Sequence, residues 1–511
     1  MISVMASERR RWMVLFILIL FFVTSSLAGC PRKCQCYRAG PSGDDWLKCD
    51  SGRMTAFPRS ISRTREVVVI RNNQIPLVPE NPFGTLSTTE VRYVFLDNNG
   101  IESISEGAFS VPRYLRVLSL MNNRLELVTS HYFKGAHALQ KLYLDGNLIS
   151  ALNANVFQEM WRLKLLSLSR NVIVTIGTNA FMGLAELNEL LLNDNHLTAL
   201  GSSAFTGLRD VKKLDLQDNS IQTINNLAFS SLYHLEELIL KGNHLNQVRY
   251  QWFEDLSQLR VLDLSDNRIK QIVNQAFQQL THLKTLDLSN NLVAAMGMAK
   301  MQGLNNLNVL KVANNTNIAM RDGSFWELAD LEMLDLRNTS TRMGPQMFRN
   351  QENTTKMDKI KKLMLSGLTA LPLDLLSLTP NLEILQITDS NITVIPSQAF
   401  ENNVNLRDVF LNNVGLTTIE EEALSPLRNL RKLEIQNNYL VSLPSTLLKP
   451  YHRSAVICFH GNPWHCDCSI AWLTRWMQRR GARWCVSGRP VCKTPRRKAG
   501  QMIWKLSNGR C

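Results

Sequence analysis

The sequence repeats itself every 24 residues, and this period limits the possible fold more than any other feature. The pattern Leu-x-x-Leu-x-Leu-x-x-Asn recurs, with its asparagine at Asn99, Asn123, Asn147, Asn171, Asn195, Asn219, Asn243, Asn267, Asn291 and Asn315. A phenylalanine follows the same period at Phe109, Phe133, Phe157, Phe181, Phe205, Phe229, Phe253 and Phe277. Two residue types that share one period over so many copies indicate stacked structural repeats, which bury their apolar faces against their neighbours.

The residue pattern of the repeat predicts a short strand followed by a turn. Strand side chains alternate, so the two leucines of Leu-x-Leu face the interior and the residue between them faces solvent on the concave side. A buried asparagine at the turn would satisfy backbone groups that otherwise lack partners. The phenylalanine would fill the interior on the far side. We count about sixteen such repeats in residues 64–453, with a further strand at residues 457–459.

The pattern becomes irregular after Asn315. The ladder position, which we define as the place of the repeated asparagine, is occupied by Thr339, Leu368, Ser390 and Val414 before Asn438 restores it. The interval from Thr339 to Leu368 is 29 residues, and its extra length is the polar segment 349–356. We expect a loop there and a local change of curvature.

The cysteines are confined to the two ends of the chain. Four of the ten lie between Cys30 and Cys49, six lie between Cys458 and Cys511, and none lies between these groups. An even number at each end indicates two disulfide-stapled caps and an oxidising compartment. A zinc site built from clustered cysteines and His465 is the alternative.

The cysteine motifs and the repeat together carry a resemblance to a known family. Cys30-Pro31-x-x-Cys34-x-Cys36 precedes the repeats, and the motif from Asn462 to Cys468 follows them. The chain resembles the extracellular leucine-rich repeat proteins with cysteine-rich N-terminal and C-terminal caps, such as the Slit proteins, Toll ectodomains, the Nogo receptor and the regulatory subunit of carboxypeptidase N. The resemblance implies an α/β repeat solenoid, a horseshoe with a parallel concave sheet.

The resemblance also implies how the cysteines pair. The implied disulfides are Cys30–Cys36, Cys34–Cys49, Cys466–Cys492 and Cys468–Cys511. Cys458 and Cys485 are additional; a bond between them is the economical expectation, and a free Cys458 is the alternative. We therefore divide the chain into a signal peptide (1–28), an N-terminal cap (29–63), the repeats (64–453) and a C-terminal cap (454–511).

The first residues have the features of a secretory signal. Three arginines precede an apolar run from Trp12 to Val23, and small residues follow, which predicts cleavage near Ala28. An uncleaved anchor is one alternative, and a lipobox at residues 27–30 that would acylate Cys30 is another. No later apolar stretch approaches 18 residues, so we predict a secreted protein without a transmembrane segment.

Positive charge is concentrated in the C-terminal cap. The chain carries a formal net charge of +14, and the segment from Cys466 to Cys511 holds eleven Lys or Arg residues and a single acid. Such a cluster outside the cell suits heparan sulfate or an anionic membrane surface, whereas a secretory signal argues against nucleic acid as the partner. A solvated basic face is the alternative. The candidate polyanion-binding residues are Arg475, Arg479, Arg480, Arg483, Arg496, Arg497 and Lys498.

The outward strand positions supply candidates for a protein interface. Apolar residues at solvent-facing positions, namely Phe95, Tyr143, Leu191 and Ile239, are better contact candidates than the aspartates of the central repeats. Sequons for N-glycosylation occur at Asn314, Asn338, Asn353 and Asn391, all near or within the irregular stretch. We expect a protein partner to dock over repeats two to ten, away from these sugars.

These features favour a binding protein over an enzyme. The sequence lacks His-Glu-x-x-His, Gly-x-Ser-x-Gly and a phosphate-binding glycine loop, and nothing in it calls for a cofactor or a metal. We predict a secreted protein that recognises an extracellular protein ligand on its concave face. The alternatives are a matrix protein held mainly by glycosaminoglycan and the ectodomain portion of a longer cell-surface receptor. The fold alone does not choose the ligand.

Overall fold

The computed structural model describes residues 30–39, 44–50, 52–58, 61, 65–83, 90–339, 345–349, 357–447, 455–478, 483–485 and 488–506. The predicted signal peptide, most of the polar segment 349–356 and Cys511 lie outside these residues. The chain divides into two compact units, Met1–Leu235 and Glu236–Cys511.

The first unit is a stack of coils in which each coil adds one strand to a parallel sheet. The strands are in register, so that Leu118, Leu142 and Leu166 lie side by side. The sheet strands are Gln35–Ala39, Asp44–Asp50, Val67–Arg71, Tyr93–Phe95, Val117–Ser119, Lys141–Tyr143, Leu165–Ser167, Glu189–Leu191 and Lys213–Asp215. Two-residue strands on the far side are Leu77–Val78, Ser103–Ile104, Ala151–Leu152, Thr175–Ile176, Ala199–Leu200 and Thr223–Ile224, and Ser130–Phe133 is a 3-10 turn.

The second unit, described by itself, is built in the same way. Its sheet strands are Glu237–Ile239, Val261–Asp263, Thr285–Asp287, Val309–Lys311, Met333–Asp335, Lys362–Ser366, Ile384–Thr388, Asp408–Phe410, Lys432–Glu434, Val456–Cys458 and Arg483–Trp484. Far-side and cap strands are Gln247–Val248, Gln271–Ile272, Ala295–Met296, Ala319–Met320, Val394–Ile395, Thr418–Ile419, Trp464–His465 and Cys492–Thr494. The α-helices are Met298–Met301, Leu373–Ser377 and Ala471–Gln478, and 3-10 turns span Tyr250–Trp252, Pro345–Phe348, Cys468–Ile470, Arg496–Lys498 and Ile503–Lys505.

Each strand of the regular repeats is followed by a buried asparagine that bonds two coils together. The side-chain amide of Asn171 donates to the carbonyl oxygens of Leu168 in its own coil and Leu144 in the preceding coil, both at 3.0 Å. Its Oδ1 accepts from the backbone N–H of Ile149 at 3.1 Å. The ten regularly spaced ladder asparagines are between 0 and 7% exposed. These bonds satisfy backbone groups at the turn that would otherwise be buried without partners.

The turn itself explains the residue before each ladder asparagine. Arg170 adopts a φ of 55° and Asp194 a φ of 56°, in the left-handed region. Asparagine, aspartate and glycine tolerate this conformation best. The same position accordingly holds Asn98, Asn122, Gly146, Asp218, Gly242, Asp266, Asn290, Asn314 and Asn338, all with positive φ.

The recurring phenylalanines fill the far side of the interior, as the repeat predicts. Phe157 and Phe181 stack with their ring centroids 6.2 Å apart and an interplanar angle of 4°. The stack continues through Phe205 to Phe229, which is 5.7 Å from its neighbour. These rings are fully buried. One ring per coil thus gives each of these coils an apolar contact with the next one.

The irregular stretch changes the strand length rather than the architecture. The strands Lys362–Ser366 and Ile384–Thr388 have five residues, compared with three in the regular coils. They pair along their whole length, with Ser366 opposite Thr388. No ladder asparagine follows these two strands, and their pairing extends two residues beyond that of the regular coils. The altered curvature that we expect there stays a prediction.

The N-terminal cap closes the first unit with an antiparallel hairpin. The strand Gln35–Ala39 pairs with Asp44–Asp50, which then pairs in parallel with Val67–Arg71. Disulfides join Cys30 to Cys36 and Cys34 to Cys49. Leu47 and Cys49 are fully buried, so the hairpin covers the open end of the apolar interior.

The C-terminal cap closes the second unit with a helix and two further disulfides. These bonds join Cys466 to Cys492 and Cys458 to Cys485. Trp464 is fully buried, and its indole N–H donates to the carbonyl oxygen of Phe459 at 3.1 Å. The helix Ala471–Gln478 buries Leu473 and Met477 against this end of the interior. The implied Cys468–Cys511 bond involves a cysteine outside the described residues.

The asparagine ladder makes a testable prediction about stability. Asn171→Ala would leave the buried Ile149 N–H without its partner, at a cost of about 1–3 kcal/mol. The Leu144 and Leu168 carbonyl oxygens would each lose one of two donors, because Asn147 and Asn195 also bond to them. We expect the free energy of unfolding in guanidinium to fall by about 1–3 kcal/mol and hydrogen exchange at the Ile149 amide to accelerate. Asn153→Ala is the matched control, because Asn153 is exposed. Equal stability of the two variants would contradict this role.

Candidate functional site

The open face of the sheet carries the residues that the sequence analysis assigned to the concave side. The middle residue of each Leu-x-Leu points to this face, and Phe95, Tyr143 and Leu191 occupy it in the first unit. All three are half-buried rather than fully exposed. Neighbouring strands lie about 4.8 Å apart, so each side chain is partly covered by the next one. Ile239 is half-buried in the same way in the second unit.

Phe95 is further covered by a cation. The Arg71 guanidinium lies 4.9 Å from the Phe95 ring centroid and pairs with Asp97 at 2.7 Å. Because the Asp97 partner holds the guanidinium in place, the ring offers mainly its other surfaces to a ligand.

A second row of residues on the open face was missed by the sequence analysis. The residue two positions before each middle residue points to the same side because strand side chains alternate. In the first unit this row comprises Tyr93, Val117, Lys141, Leu165, Glu189 and Lys213, all half-buried or exposed. The repeat itself predicts this second row. The residue just before the second leucine of Leu-x-x-Leu lies two positions before the middle residue of Leu-x-Leu, and therefore on the same side of the strand. The open face is therefore at least two residues wide on every strand.

The serines of the open face bond to carboxylates instead of facing solvent. Ser119 and Ser167 are each 2% exposed. The Ser119 hydroxyl donates to Asp97, and the Ser167 hydroxyl donates to Oδ1 of Asp145 at 2.6 Å. The other carboxylate oxygen of Asp145 is buried and has no hydrogen-bond partner. Burial raises the pKa of Asp145, although the bond from Ser167 opposes this shift.

Aspartates of the central repeats form ion pairs with cations of the same surface. In the second unit, Asp287 pairs with the Lys311 ammonium at 2.9 Å, and Asp335 pairs with Arg337 at 2.7 Å. Burial raises the pKa of Asp263, and the neighbouring Asp287 carboxylate adds to the shift. These contacts support a structural role for the aspartates.

The candidate polyanion-binding residues of the C-terminal cap differ in their surroundings. Arg475, Arg496 and Arg497 are exposed. Lys498 is half-buried, and its ammonium donates to the carbonyl oxygen of Cys466 at 3.0 Å, so it holds the cap together instead of facing a ligand. The side chains of Arg479, Arg480 and Arg483 lie outside the described residues. The exposed cations Arg489, Lys493 and Lys505 extend the described basic surface.

The tryptophans among these cations also have different environments. The Trp472 indole N–H donates to the carbonyl oxygen of Leu443 at 3.1 Å, which fixes the cap helix to the last coil. Trp504 is 36% exposed, and the Lys505 ammonium lies 5.3 Å from its ring centroid. Trp472 therefore contributes to the interior, whereas Trp504 lies on the basic surface.

Three of the four predicted glycosylation asparagines are described, and all three are exposed. These are Asn314, Asn338 and Asn391, whereas Asn353 lies outside the described residues. Asn314 and Asn338 belong to a row of exposed amides, in which the Asn338 side chain donates to Asn314 Oδ1 at 3.0 Å. Both occupy the left-handed turn position next to the ladder. Whether these residues carry sugars stays a prediction.

One cluster of metal-ligating atoms occurs in the described part of the chain. It consists of Glu434, Cys458 and Cys485. The two sulfurs are bonded to each other, so neither is the thiolate that a metal requires. The zinc alternative is further weakened because Cys466, beside His465, is bonded to Cys492.

The repeat pattern matches a family model over most of the chain. The model of the leucine-rich repeat matches residues 89–149, 137–197, 185–245, 233–293, 282–340 and 380–440. The chain belongs to the leucine-rich repeat family. Strands at these residues supply the sheet, so the sequence match and the observed coils coincide.

Relatives of this leucine-rich repeat protein share only part of its length. It is 30% identical to human leucine-rich repeat-containing protein 3B over 123 residues, which are 24% of this chain and 45% of that protein. It is 34% identical to mouse keratocan over 113 residues, which are 22% of this chain and 30% of keratocan. The chain thus spans less than half the length of these relatives.

A solved structure supports the fold. A leucine-rich repeat protein of Leptospira interrogans superposes with a TM-score of 0.58 and 23% identity, over 76% of this chain and 89% of that protein. This likeness concerns the solenoid alone. Among the residues that the structure describes, no helix is long and apolar enough to cross a membrane.

The buried carboxylate of Asp145 predicts a pH dependence. Its pKa is raised in the folded protein, so ionisation costs stability at neutral pH, and this cost disappears as the pH falls through the raised pKa. Asp145→Asn should therefore raise the free energy of unfolding by about 1 kcal/mol at pH 7. The difference from the original protein should shrink when thermal unfolding is repeated near pH 4. A stabilisation that is the same at both pH values would contradict this assignment.

Proposed function

We propose that this protein is an extracellular, non-enzymatic binding protein that takes a protein ligand on the open face of its sheet. The observation that carries the proposal is the row of half-buried Phe95, Tyr143 and Leu191 beside the row of Tyr93 and its equivalents. Partly exposed aromatic and aliphatic residues on a rigid sheet are suited to a protein interface. The disulfides at both ends support an oxidising compartment.

The buried ladder is what makes such a surface useful for recognition. Its asparagines and leucines are fixed by their contacts inside the coils, so the open-face residues can differ from coil to coil without cost to the fold. The backbone that carries them stays rigid. A rigid face reduces the entropy lost on binding, which favours affinity.

Alanine substitution of the open-face residues tests the proposal. The chain, expressed through the secretory pathway, would be screened as a multimer against purified ectodomains and secreted proteins. Phe95→Ala, Tyr143→Ala and Leu191→Ala together should weaken each specific binder by roughly tenfold or more, because central aromatic contacts dominate interface energies. Ile239→Ala is made separately, since Ile239 belongs to the second unit.

The control variant removes three exposed apolar side chains elsewhere in the first unit. Leu127, Leu148 and Val174 are 45–49% exposed and lie off the open face in the first unit. Their alanine variants should leave the same binders unaffected. Binding that survives the open-face variant and is lost in the control would place the interface on the flank and refute the proposal.

The basic C-terminal cap supports a second candidate function, attachment to heparan sulfate. Arg475, Arg496 and Arg497 are exposed, and Trp504 lies on the same cap with its ring partly exposed. Attraction to a polyanion falls steeply with ionic strength, whereas apolar protein binding does not. Salt dependence therefore separates the two candidate functions.

Heparin chromatography tests this second function. Arg475→Ala, Arg496→Ala and Arg497→Ala together should shift elution to clearly lower salt, because three exposed cations are lost. Lys498 is left unchanged because it bonds to Cys466. Arg268→Ala with Lys270→Ala serves as the control, because both residues are exposed and lie in the repeats of the same unit. Identical elution of the original protein and the cap variant would rule out the cap as the anchor.

A further inference from the structure

A basic surface outside the C-terminal cap lies along one edge of the open face in the first unit. Three consecutive coils contribute residues 113–118, 137–142 and 161–166, and none of these residues is acidic. We call this surface the rim patch. Its cations are Arg113, Arg116, Lys141, Arg162 and Lys164. Lys141 is half-buried and the other four cations are exposed.

The cations of the rim patch are brought together by the register of the sheet. Gln140 N–H donates to the carbonyl oxygen of Arg116, and Lys164 N–H donates to that of Gln140, both at 2.8 Å. Arg116 and Lys164 are thus separated by two strand spacings, or about 10 Å. Arg113 and Arg162 lie beside them, a few residues earlier in the same coils. The result is a narrow strip that runs from coil to coil.

The cations of the rim patch are not neutralised by neighbouring acidic side chains. In the described part of the chain, none of its five cations takes part in an ion pair. By contrast, some other surface cations are paired, such as Lys134 with Glu106 at 3.0 Å and Lys359 with Asp330. Exposed Glu90 and Glu186 lie in the coils on either side, so the positive strip has defined ends. Unpaired like charges held close together favour an anionic ligand.

Two exposed aromatic rings lie within the same strip. Tyr114 is 59% exposed and Trp161 is 42% exposed. The Arg162 guanidinium lies 4.4 Å from the Trp161 ring centroid, which orients both groups at the surface. A ligand that carries both anionic groups and flat apolar faces would use both kinds of side chain. Sulfated sugars have these properties, because sulfates bind cations and the C–H faces of sugar rings pack on aromatic rings.

We propose that the rim patch is a binding site for a sulfated polysaccharide chain that crosses three successive coils. Cations spaced by the strand separation match a linear polyanion, and the short strip suits a chain better than the broad surface that a globular partner covers. This site uses the same class of ligand as the proposed cap function but none of its residues. Either site can therefore fail without the other.

The test uses a background in which the cap is neutralised by Arg475→Ala, Arg496→Ala and Arg497→Ala. Binding of a heparin-derived octasaccharide is measured by calorimetry at several salt concentrations. Arg113→Gln, Arg116→Gln, Arg162→Gln and Lys164→Gln together should weaken binding by roughly tenfold or more and reduce the salt slope by about one for each lost contact. Tyr114→Ala with Trp161→Ala should weaken binding with little change in the slope.

The control variant removes four exposed cations outside the strip, by Arg124→Gln, Lys134→Gln, Arg268→Gln and Lys270→Gln. It should bind the octasaccharide as the background does, which separates the strip from net charge. Equal losses in the rim and control variants, or no loss in the rim variant, would overturn the proposal. Poly-L-glutamate bound as tightly as the octasaccharide, with equal dependence on the rim patch, would also overturn it in favour of an acidic protein segment.

Discussion

The structure depends on one side-chain amide per coil. The ladder asparagine bonds carbonyls of its own coil and of the preceding coil, and it accepts a backbone N–H from the preceding coil. No other neutral side chain of this size offers two donors and one acceptor at a single buried point. The interaction therefore fixes the turn and joins neighbouring coils at once. The coils cannot be stable alone, which explains why both ends need disulfide-stapled caps.

This constraint separates what the sequence predicts from what it does not. Leu166, Asn171 and Phe181 repeat because each has a fixed place in the interior, so the period identifies the strand, the turn and the ring stack. The surface has no such period. The burial of Ser167 by Asp145 and the bond from Lys498 to Cys466 depend on contacts between residues 22 and 32 positions apart. The sequence pattern predicts neither contact.

The distribution of charge along the sequence does not predict which cations are free to bind a ligand, because surface contacts between coils do not follow the repeat. The sequence concentrates its excess of cations in the C-terminal cap, yet Lys498 of that cap is committed to a structural bond. In the repeats, cations and acids are nearly balanced in number, but the register decides which of them meet. Lys311 lies beside Asp287 and is neutralised, whereas Arg116 and Lys164 have only Gln140 between them. Whether a cation is neutralised depends on the side chains in the neighbouring coils, so the net charge of the sequence does not reveal it.

The irregular coils show how much of the ladder the fold can lose. The Val414 side chain cannot accept a hydrogen bond, and the Ile392 N–H donates directly to the Val414 carbonyl oxygen at 2.6 Å. At Ser390 the hydroxyl accepts from Leu368 N–H and donates to the Thr388 carbonyl. A hydroxyl or a carbonyl thus replaces part of the amide's bonding. In Lys362–Ser366 and Ile384–Thr388, two extra paired residues on each strand supply further bonds. Backbone pairing offsets the missing amide, which is why the sheet continues through a stretch where the sequence pattern fails.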